Sequence, residues 1–182
     1  EELRRGNPEI DITLLVATGF HRGTTRDELR AKLGDDVFLH EKVVVHDCRD
    51  KDSNVKIGTL PSGAPLVIDR LAAETDLLVS EGFIEPHFFA GFSGGRKSVL
   101  PGICDQVTVL GNHCSRFIDS QYARTGILRN NPLHRDMLAA AHMAKLAYIV
   151  NGVIDEDKNT VAAFAGEMEQ AHEAGCDFLS RY

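Results

Sequence analysis

The segment from Glu85 to Gly102 constrains the fold of this chain more than any other. It reads EPHFFAGFSGGRKSVLPG, and it combines a histidine, an arginine and a lysine with four glycines. Glycine weakens the interior of a helix or a strand, whereas a backbone that bends tightly or passes close to a ligand requires it. The segment therefore predicts a loop that turns sharply and leaves room beside its backbone for a ligand.

Around this loop, short apolar segments alternate with stretches of helical periodicity. Strands are predicted at residues 11–18, 43–46, 55–60, 65–68, 76–80, 146–150 and 161–165. Helices are predicted from Thr25, where Glu28 completes a capping box, to Lys32, and over residues 133–146 and 167–180. Gly34 and Asn151-Gly152 are typical of turns. The alternation predicts an α/β fold, Rossmann-like, with a largely parallel sheet flanked by helices in a single domain.

Two of the predicted loops carry a histidine directly after a strand. His21 follows the first strand, and His87 follows the strand that ends at Ser80. In open α/β sheets, ligands bind beyond the carboxyl ends of the strands. We therefore expect His21 and His87 to share one site.

Composition narrows the class of partner and the compartment. A net charge of −7 argues against nucleic acid or an anionic membrane as the main partner, and no apolar run approaches the length of about 18 residues that a span requires. The four cysteines are widely spaced and form no CxxC pair, which favours a reducing, cytoplasmic setting over a disulfide framework or a zinc ribbon.

The stretch Gly91–Ser98 is close to a phosphate-binding P-loop but departs from it at one position. The pattern requires glycine directly before the lysine, and this chain has Arg96 there. No acidic Walker B partner is evident either, so the sequence argues against a nucleoside triphosphatase. Anion binding by loop N–H groups and by Arg96 remains an expectation at this stage.

Each candidate residue in and after the loop has a structural alternative. His87 is either a hydrogen-bonded core histidine or an acid/base group. Lys97 either forms a salt bridge or is an amine of lowered pKa that acts as a nucleophile or carries a cofactor. His113 either caps a helix or, as a neutral imidazole, binds a soft or borderline metal.

The remaining histidines and Cys114 favour ordinary roles. Cys114, beside His113, is more typical of a small buried side chain than of a metal ligand. His134, His142 and His172 lie on predicted helices and are interpreted as surface or structural residues, and nothing distinguishes a role for the other two, His40 and His46.

Three motifs together resemble the nickel-dependent lactate racemase family. They are GFHRGTT at residues 19–25, the segment from Glu85-Pro86-His87 through GFSGGRK to Pro101-Gly102, and His113. Their order and spacing match throughout, and the resemblance covers essentially the whole chain.

This resemblance implies a nickel-pincer nucleotide, the pyridinium-3,5-bisthiocarboxylic acid mononucleotide that holds nickel through sulfur, carbon and sulfur. By position, Lys97 matches the lysine that joins the cofactor through a thioamide, and His113 matches the histidine that ligates nickel. His21 and His87 match the two acid/base histidines.

The implied reaction interconverts the enantiomers of a 2-hydroxy acid by hydride transfer. The α-hydrogen of such an acid is too weakly acidic for an imidazole to remove as a proton, and removal as hydride avoids the carbanion. The hydroxyl oxygen of each enantiomer occupies a different place, so two histidines that exchange protons near neutral pH suit the reaction. The cofactor supplies the difficult chemistry, and the protein positions it.

Members of that family are considerably longer and have a second domain that helps to bind the substrate. We therefore expect residues 1–182 to be the cofactor-binding, N-terminal-type domain of a longer racemase. Its expected partners are a small 2-hydroxy acid and the C-terminal domain of the same protein. This chain is expected to lack that domain and also the usual N-terminal segment. Alone, the chain is expected to be inactive.

Other functions remain open from the sequence. A homologue could epimerise a different hydroxy acid or a sugar acid. A metal- or nucleotide-binding module without turnover would not need both His21 and His87. A zinc hydrolase using His21, His87 and His113 would lack a clear acidic base and would leave Lys97 without a role.

Overall fold

The computed structural model describes residues 2–181. Its helices are α1 (Glu2–Gly6), α2 (Arg26–His40), α3 (Arg70–Glu74), a 3₁₀ helix (Gly95–Ser98), α4 (Gln106–Asn112), α5 (Ser115–Ile118), α6 (Pro132–Met143) and α7 (Met168–Leu179). Its strands are β1 (Thr13–Val16), β2 (Lys42–Val45), β3 (Asn54–Thr59), β4 (Pro65–Asp69), β5 (Leu78–Phe83), β6 (Pro86–His87), β7 (Gly91–Phe92), β8 (Leu146–Ile154) and β9 (Thr160–Gly166).

The strands pair both parallel and antiparallel. β1 pairs parallel with β2, and β5 pairs parallel with β8, while β8 also pairs antiparallel with β9. β3 and β4 form an antiparallel hairpin, and β6 and β7 form a two-residue ribbon within the glycine-rich loop. The predicted α/β class and single domain are confirmed, and the pairing of the strands is mixed.

The capping signal in the sequence predicted the start of α2 correctly. The capping box forms as predicted, since Thr25 Oγ1 accepts from Glu28 N and Glu28 Oε2 accepts from Thr25 N. Gly34 breaks the helix at φ +77°, but the chain resumes helical geometry and reaches His40. The predicted stop of the first helical stretch at Gly34 is therefore confirmed, and a second helical stretch follows it to His40.

The predicted turn at Asn151-Gly152 is wrong. Both residues lie within β8, where Asn151 pairs with Gly82 and Phe164, and Gly152 pairs with Phe83 and Ala163. Asn151 is fully buried, which no hairpin tip allows. A turn follows at 155–159 instead, where the Asp155 carboxylate accepts from the backbone of residues 157 and 159.

The main core lies beneath the glycine-rich loop. Its buried side chains come from the β3–β4 hairpin, from α6 and from the end of the loop itself, and they include Leu66, Ile68, Leu100, Leu133 and Met137. The 3₁₀ helix that carries Lys97 packs against α6, α7, β5 and β8. The loop is therefore clamped between helices and sheet, which fixes its side chains relative to the core.

The β5–β8–β9 sheet buries one face and exposes the other. Ile84, Ile149 and Val153 are buried, on the side where α7 packs. On the opposite side, the following apolar residues remain 39–54% exposed: Val79, Phe83, Tyr148, Val150 and Val161. The strand register pairs Val79 with Tyr148, and it places Glu81, paired with Val150, on the same exposed side of the sheet. We call this exposed side the open sheet face.

No helix within residues 2–181 has the length and hydrophobicity to cross a membrane.

Candidate functional site

The glycine-rich loop forms the tight turns that its composition predicts. The ribbon of β6 and β7 pairs His87 with Gly91, which adopts φ +81°. A Cβ atom at Gly91 would lie 2.5 Å from the carbonyl oxygen of Ile127. Only glycine fits there, so the loop can fold back on itself directly after His87.

A second close approach fixes the 3₁₀ helix that follows. Gly95 has φ +51°, and a Cβ atom there would lie 2.7 Å from the His172 ring. The N–H of Gly95 donates to Asn151 Oδ1 at 2.8 Å, with Asn151 fully buried in β8. Sequence reasoning missed this role of Asn151, because an Asn-Gly pair is also the common signal for a turn.

Lys97 extends from the 3₁₀ helix into the site. Its Nζ lies 3.5 Å from His87 Nε2, and within residues 2–181 it forms no salt bridge. Burial, and secondarily the charge of Arg96, lower the pKa of Lys97 to about 8. About a tenth of this amine is therefore uncharged at pH 7, and the uncharged form is the one that attacks a carbonyl carbon.

His87 is held by the backbone of its own loop. Its Nδ1 accepts from the N–H groups of Phe89 and Ala90 at 3.5 and 3.3 Å, and its ring stacks on Phe88 with centroids 4.7 Å apart. With Nδ1 an acceptor, Nε2 is the atom that carries the proton of the neutral ring. Burial, and then the charge of Lys97, lower the pKa of His87 to about 4.

His113 is presented as a neutral ligand. It is the C-cap residue of α4, and its Nδ1–H donates to the carbonyl of Val109 at 3.2 Å, which leaves the lone pair of Nε2 free. Burial, and then the charge of Lys97, lower the pKa of His113 to about 4. A hydrogen bond from the non-ligating nitrogen is the usual way in which a metal-binding histidine is oriented.

Phe89 links these two histidines. Its ring lies edge-on to His87 and to His113, with centroid separations of 4.6 and 5.2 Å. The structure thus brings together His87, Lys97 and His113, three of the four residues that the sequence singled out.

His21 lies on a neighbouring turn and differs from the other three. Its backbone N–H donates to Thr18 O, while Gly19 N donates to Gly102 O at 2.9 Å, so this turn abuts the end of the glycine-rich loop. The His21 side chain is exposed and forms no hydrogen bond with residues 2–181. A site shared by His21 and His87 therefore stays a prediction.

Arg96 is buried, and the expectation that it binds an external anion is wrong. Its side chain has 0% exposure, with Nε donating to His134 Nδ1 at 3.0 Å and Nη1 to His172 Nε2 at 2.8 Å. The guanidinium also donates to the carbonyl oxygens of Ala90, Ser93 and Gly94. A P-loop glycine is replaced here by a cation that ties the loop to α6 and α7.

Two histidines outside the predicted site take part in this arrangement. His134 and His172 were interpreted as surface or structural residues, and the structure makes both structural, as acceptors for Arg96. The sequence signal that could have indicated this role was Arg96. A buried guanidinium needs several hydrogen-bond acceptors, and α6 and α7 each carry a histidine that can accept.

Comparison with known proteins identifies relatives along nearly the whole chain. A model of the lactate racemase N-terminal domain matches residues 1–126. The lactate racemase of Thermoanaerobacterium thermosaccharolyticum is 58% identical over 180 residues, and that of Lactiplantibacillus plantarum is 56% identical over 177 residues. These matches cover 99% and 97% of this chain but only 42% of each relative, so the chain spans less than half of their length.

Solved structures agree with this result. The lactate racemase apoprotein from T. thermosaccharolyticum superimposes with a TM-score of 0.97 at 58% identity, covering 98% of this chain and 43% of that one. A protein from Thermotoga maritima superimposes with a TM-score of 0.80 at 26% identity, covering 93% of this chain and 46% of that one.

Proposed function

Because the chain belongs to the lactate racemase N-terminal domain family, we propose that it is the cofactor-binding part of an isomerase that interconverts the enantiomers of lactate. The observation that carries this proposal is the convergence of His87, Lys97 and His113 in one partly buried site. A buried amine of lowered pKa beside two neutral imidazoles suits a covalently held metal cofactor better than it suits hydrolysis.

The side chains fit a nickel-pincer nucleotide. Such a cofactor brings sulfur, carbon and sulfur donors of its own, so the protein needs to supply one further ligand. The free Nε2 of His113 is a suitable ligand for nickel, because a neutral imidazole binds this borderline metal well. When bound, the cofactor supplies a hydride acceptor for the substrate's α-hydrogen.

Lys97 is the proposed covalent anchor. Its amine would condense with a thiocarboxylic acid group: a C–N bond would form, the C=O bond would be lost, the C–S bond would become C=S, and water would leave. The water takes one proton from the amine and one from the thiol, and no atom changes oxidation state. The lowered pKa of Lys97, which burial and Arg96 cause, supports this role because only the unprotonated amine has a lone pair to donate.

Attachment also changes the site electrostatically. A lysine in an amide-type bond carries no charge, and the charge of Lys97 is one of the causes that lower the pKa of His87. We therefore propose that His87 becomes a more effective proton acceptor once Lys97 is acylated. We propose that the ring of His87 exchanges a proton with the substrate hydroxyl and that His21 does the same for the opposite enantiomer.

We propose that the active protein contains a further domain beyond residues 1–182. The open sheet face supports this, because a sheet with parallel strands is usually covered on both faces, and apolar patches of this kind mark interaction sites. The curated relatives, of which this chain spans 42%, have enough additional chain to cover it. That part is also the proposed source of groups that bind the substrate carboxylate.

A cytoplasmic location is proposed from the cysteines. All four are free, and three of them, Cys48, Cys104 and Cys176, are buried. Burial raises the pKa of the Cys176 thiol to about 12, which keeps it protonated and unreactive. Free buried thiols are typical of proteins that remain in a reducing compartment.

Racemisation of lactate tests the function and the domain proposal together. The cofactor-loaded chain and a longer polypeptide that contains it are incubated with L-lactate deuterated at C2, and the products are resolved by chiral chromatography with mass detection. We expect D-lactate that retains deuterium from the longer protein only, since a hydride acceptor does not exchange with water.

The outcomes separate the two proposals. D-lactate from the isolated chain would refute the need for a further domain, and no D-lactate from either protein would refute the racemase function. The Lys97→Arg variant of the longer protein is the matched control, because it keeps a basic side chain but cannot be acylated in the same way.

A further inference from the structure

Arg96 is a buried cation without a buried anion. Its five hydrogen bonds all end on neutral acceptors, namely two imidazoles and three backbone carbonyls. Within residues 2–181 no carboxylate forms a salt bridge with it. Buried charges are normally paired, because removing an ion from water is costly.

The neighbouring ionisable groups do not balance this charge. Cys176 Sγ lies 3.6 Å from His172 Nε2, but burial raises its pKa to about 12, so the thiol is uncharged. Burial, and then Arg96, lower the pKa of His134 to about 4 and that of His172 to about 3. Both rings are therefore neutral. His134 Nδ1 accepts from the guanidinium, and His172 Nε2 lies 2.8 Å from Nη1 and 2.9 Å from the carbonyl oxygen of Ser93.

A buried histidine elsewhere in the chain does have a carboxylate beside it. His46 Nδ1 lies 3.0 Å from the Asp69 carboxylate, and both side chains are almost completely buried. The fold thus provides a carboxylate where a buried histidine connects β2 to β4, but none where a buried guanidinium connects the loop to α6 and α7. The positive charge of Arg96 is therefore not neutralised by a nearby carboxylate, and we ask which neighbouring group this charge affects.

The residue that follows Arg96 in the chain is Lys97. Lys97 lies on the same 3₁₀ helix, and the carbonyls of Ser93 and Gly94 that receive the guanidinium form the turn that leads into it. A positive charge in a medium of low dielectric constant destabilises a second positive charge nearby far more than it does in water.

We propose that Arg96 is a positioning residue for Lys97: its hydrogen bonds hold the turn that presents Nζ to the site, and its unbalanced charge keeps that amine free for acylation. The inference rests on the proposed function only for the identity of the natural acyl group. The titratable groups that face this pair are His87 from the loop, His113 from α4, His134 from α6, and His172 and Cys176 from α7.

The test supplies the anion that Arg96 lacks and leaves Arg96 in place. His134→Glu puts a carboxylate beside the guanidinium, and His134→Gln puts a neutral acceptor there as the matched control. Limiting acetyl N-hydroxysuccinimide ester is added to the cofactor-free protein between pH 6 and 11. The amine attacks the ester carbonyl, the C–N bond forms, N-hydroxysuccinimide anion leaves, and the nitrogen's proton goes to water.

Acetylation at Lys97 is measured by peptide mass spectrometry relative to exposed Lys56 in the same sample. We expect His134→Glu to move the midpoint of the Lys97 profile upward and to lower its rate at pH 7.5 by about threefold to tenfold, since one unit of pKa corresponds to a tenfold change. His134→Gln should keep the profile of the unsubstituted protein. Equal profiles for the Glu and Gln variants would overturn the proposal.

A second pair tests the charge by removal. Arg96→Gln should shift the Lys97 profile in the same direction, whereas Arg135→Gln, an exposed site on α6, should not. Thermal melting shows whether Arg96→Gln folds, and the His134 pair decides the question if it does not. A Lys97 midpoint at or above that of Lys56 in the unsubstituted protein would also overturn the proposal.

These results are independent of the racemase assay. An unmodified Lys97 in protein from cells that make the cofactor, together with the expected profile shift in His134→Glu, would refute the proposed cofactor and leave the role of Arg96 standing. An unshifted profile in a protein that still binds the cofactor would refute only the role of Arg96.

Discussion

The two turns that carry the candidate acid/base histidines differ in how many contacts within the chain hold the histidine ring in place. His87 lies in a loop where two backbone N–H groups fix its tautomer and an aromatic ring stacks on it. His21 lies on an exposed turn, and its ring has no hydrogen-bond partner within residues 2–181. An imidazole needs a partner for one nitrogen before the other has a defined role in proton transfer.

The chain therefore fixes the glycine-rich loop by its own contacts, whereas it provides no such contacts for the His21 ring within residues 2–181. The glycine-rich loop is held by α6, α7 and β8, so His87 and Lys97 are positioned before any ligand arrives. We infer that the partner of the His21 ring comes from the substrate, the cofactor or a further domain. Matched substitutions in the two turns test whether the loop is held in place without a ligand and whether the His21 turn is not.

The largest difference is expected in nickel retention. His113→Ala should lower the affinity of the cofactor-loaded protein for nickel more than about 100-fold, because even the hydrogen-bond partners of metal ligands contribute about 10–100-fold. His21→Ala should leave nickel retention unchanged. Nickel is measured by elemental analysis after dialysis, and equal losses in the two variants would contradict the ligand assignment.

A glycine in each turn tests the packing of the backbone. Gly95→Ala should lower the free energy of unfolding by about 2–4 kcal/mol, since a left-handed residue gains a Cβ and that atom meets the His172 ring at 2.7 Å. Gly23→Ala, in the His21 turn, places its Cβ 3.8 Å from Val45 and should change the free energy by less than about 0.5 kcal/mol.

Gly63→Ala is the control for backbone strain alone. It has φ +92° with nothing near its Cβ, so it should cost about 1 kcal/mol. Urea denaturation measures all three variants. A Gly95→Ala protein that is no less stable than Gly63→Ala would show that the loop is not packed as described.

The free energy of unfolding should fall at acidic pH because of His172, which contacts the glycine-rich loop. Burial, and then Arg96, lower the pKa of His172 to about 3 in the folded protein, below its value of about 6.5 in an unfolded chain. Below pH 6.5 the unfolded state binds the proton and the folded state does not, so the free energy of unfolding falls between about pH 6.5 and 3.

His172→Asn should make that fall shallower, and His21→Gln in the exposed turn is the matched control. The midpoint of urea unfolding is followed at several pH values from 7 to 4. The same pH slope in the unsubstituted protein and in His172→Asn would contradict the buried neutral state of this histidine.

The smallest effect is expected on His87 itself. Lys97→Met removes a nearby charge that lowers the pKa of His87, so this pKa should rise from about 4. Lys56→Met, which removes an exposed lysine, is the control. Titration of the His87 ring by NMR measures the shift, and an unchanged value in Lys97→Met would argue against the proposed effect of acylation.

Sequence reasoning succeeded where the structural cause is local. The capping box at Thr25, the strands β3 and β4, and helix α6 all depend on residues within a few positions of one another. It failed where the cause is distant. Asn151-Gly152 is a strand because β5 and β9 pair with it from both sides.

The candidate site follows the same division. The glycine-rich loop and its His and Lys were recognisable as a site because their composition suits no regular element. The burial of Arg96 was not predictable, since its acceptors on α6 and α7 lie 38 and 76 residues away in sequence. The pairing of Lys97 with His87, ten residues apart, likewise depends on the backbone reversal at Gly91.

The mass of the protein purified from cells that make the cofactor tests the central claim most directly. Peptide mapping should locate the nickel-pincer nucleotide on Lys97, and elemental analysis should find nickel bound to the same protein. An unmodified Lys97 in a protein that carries zinc in place of nickel would contradict the account.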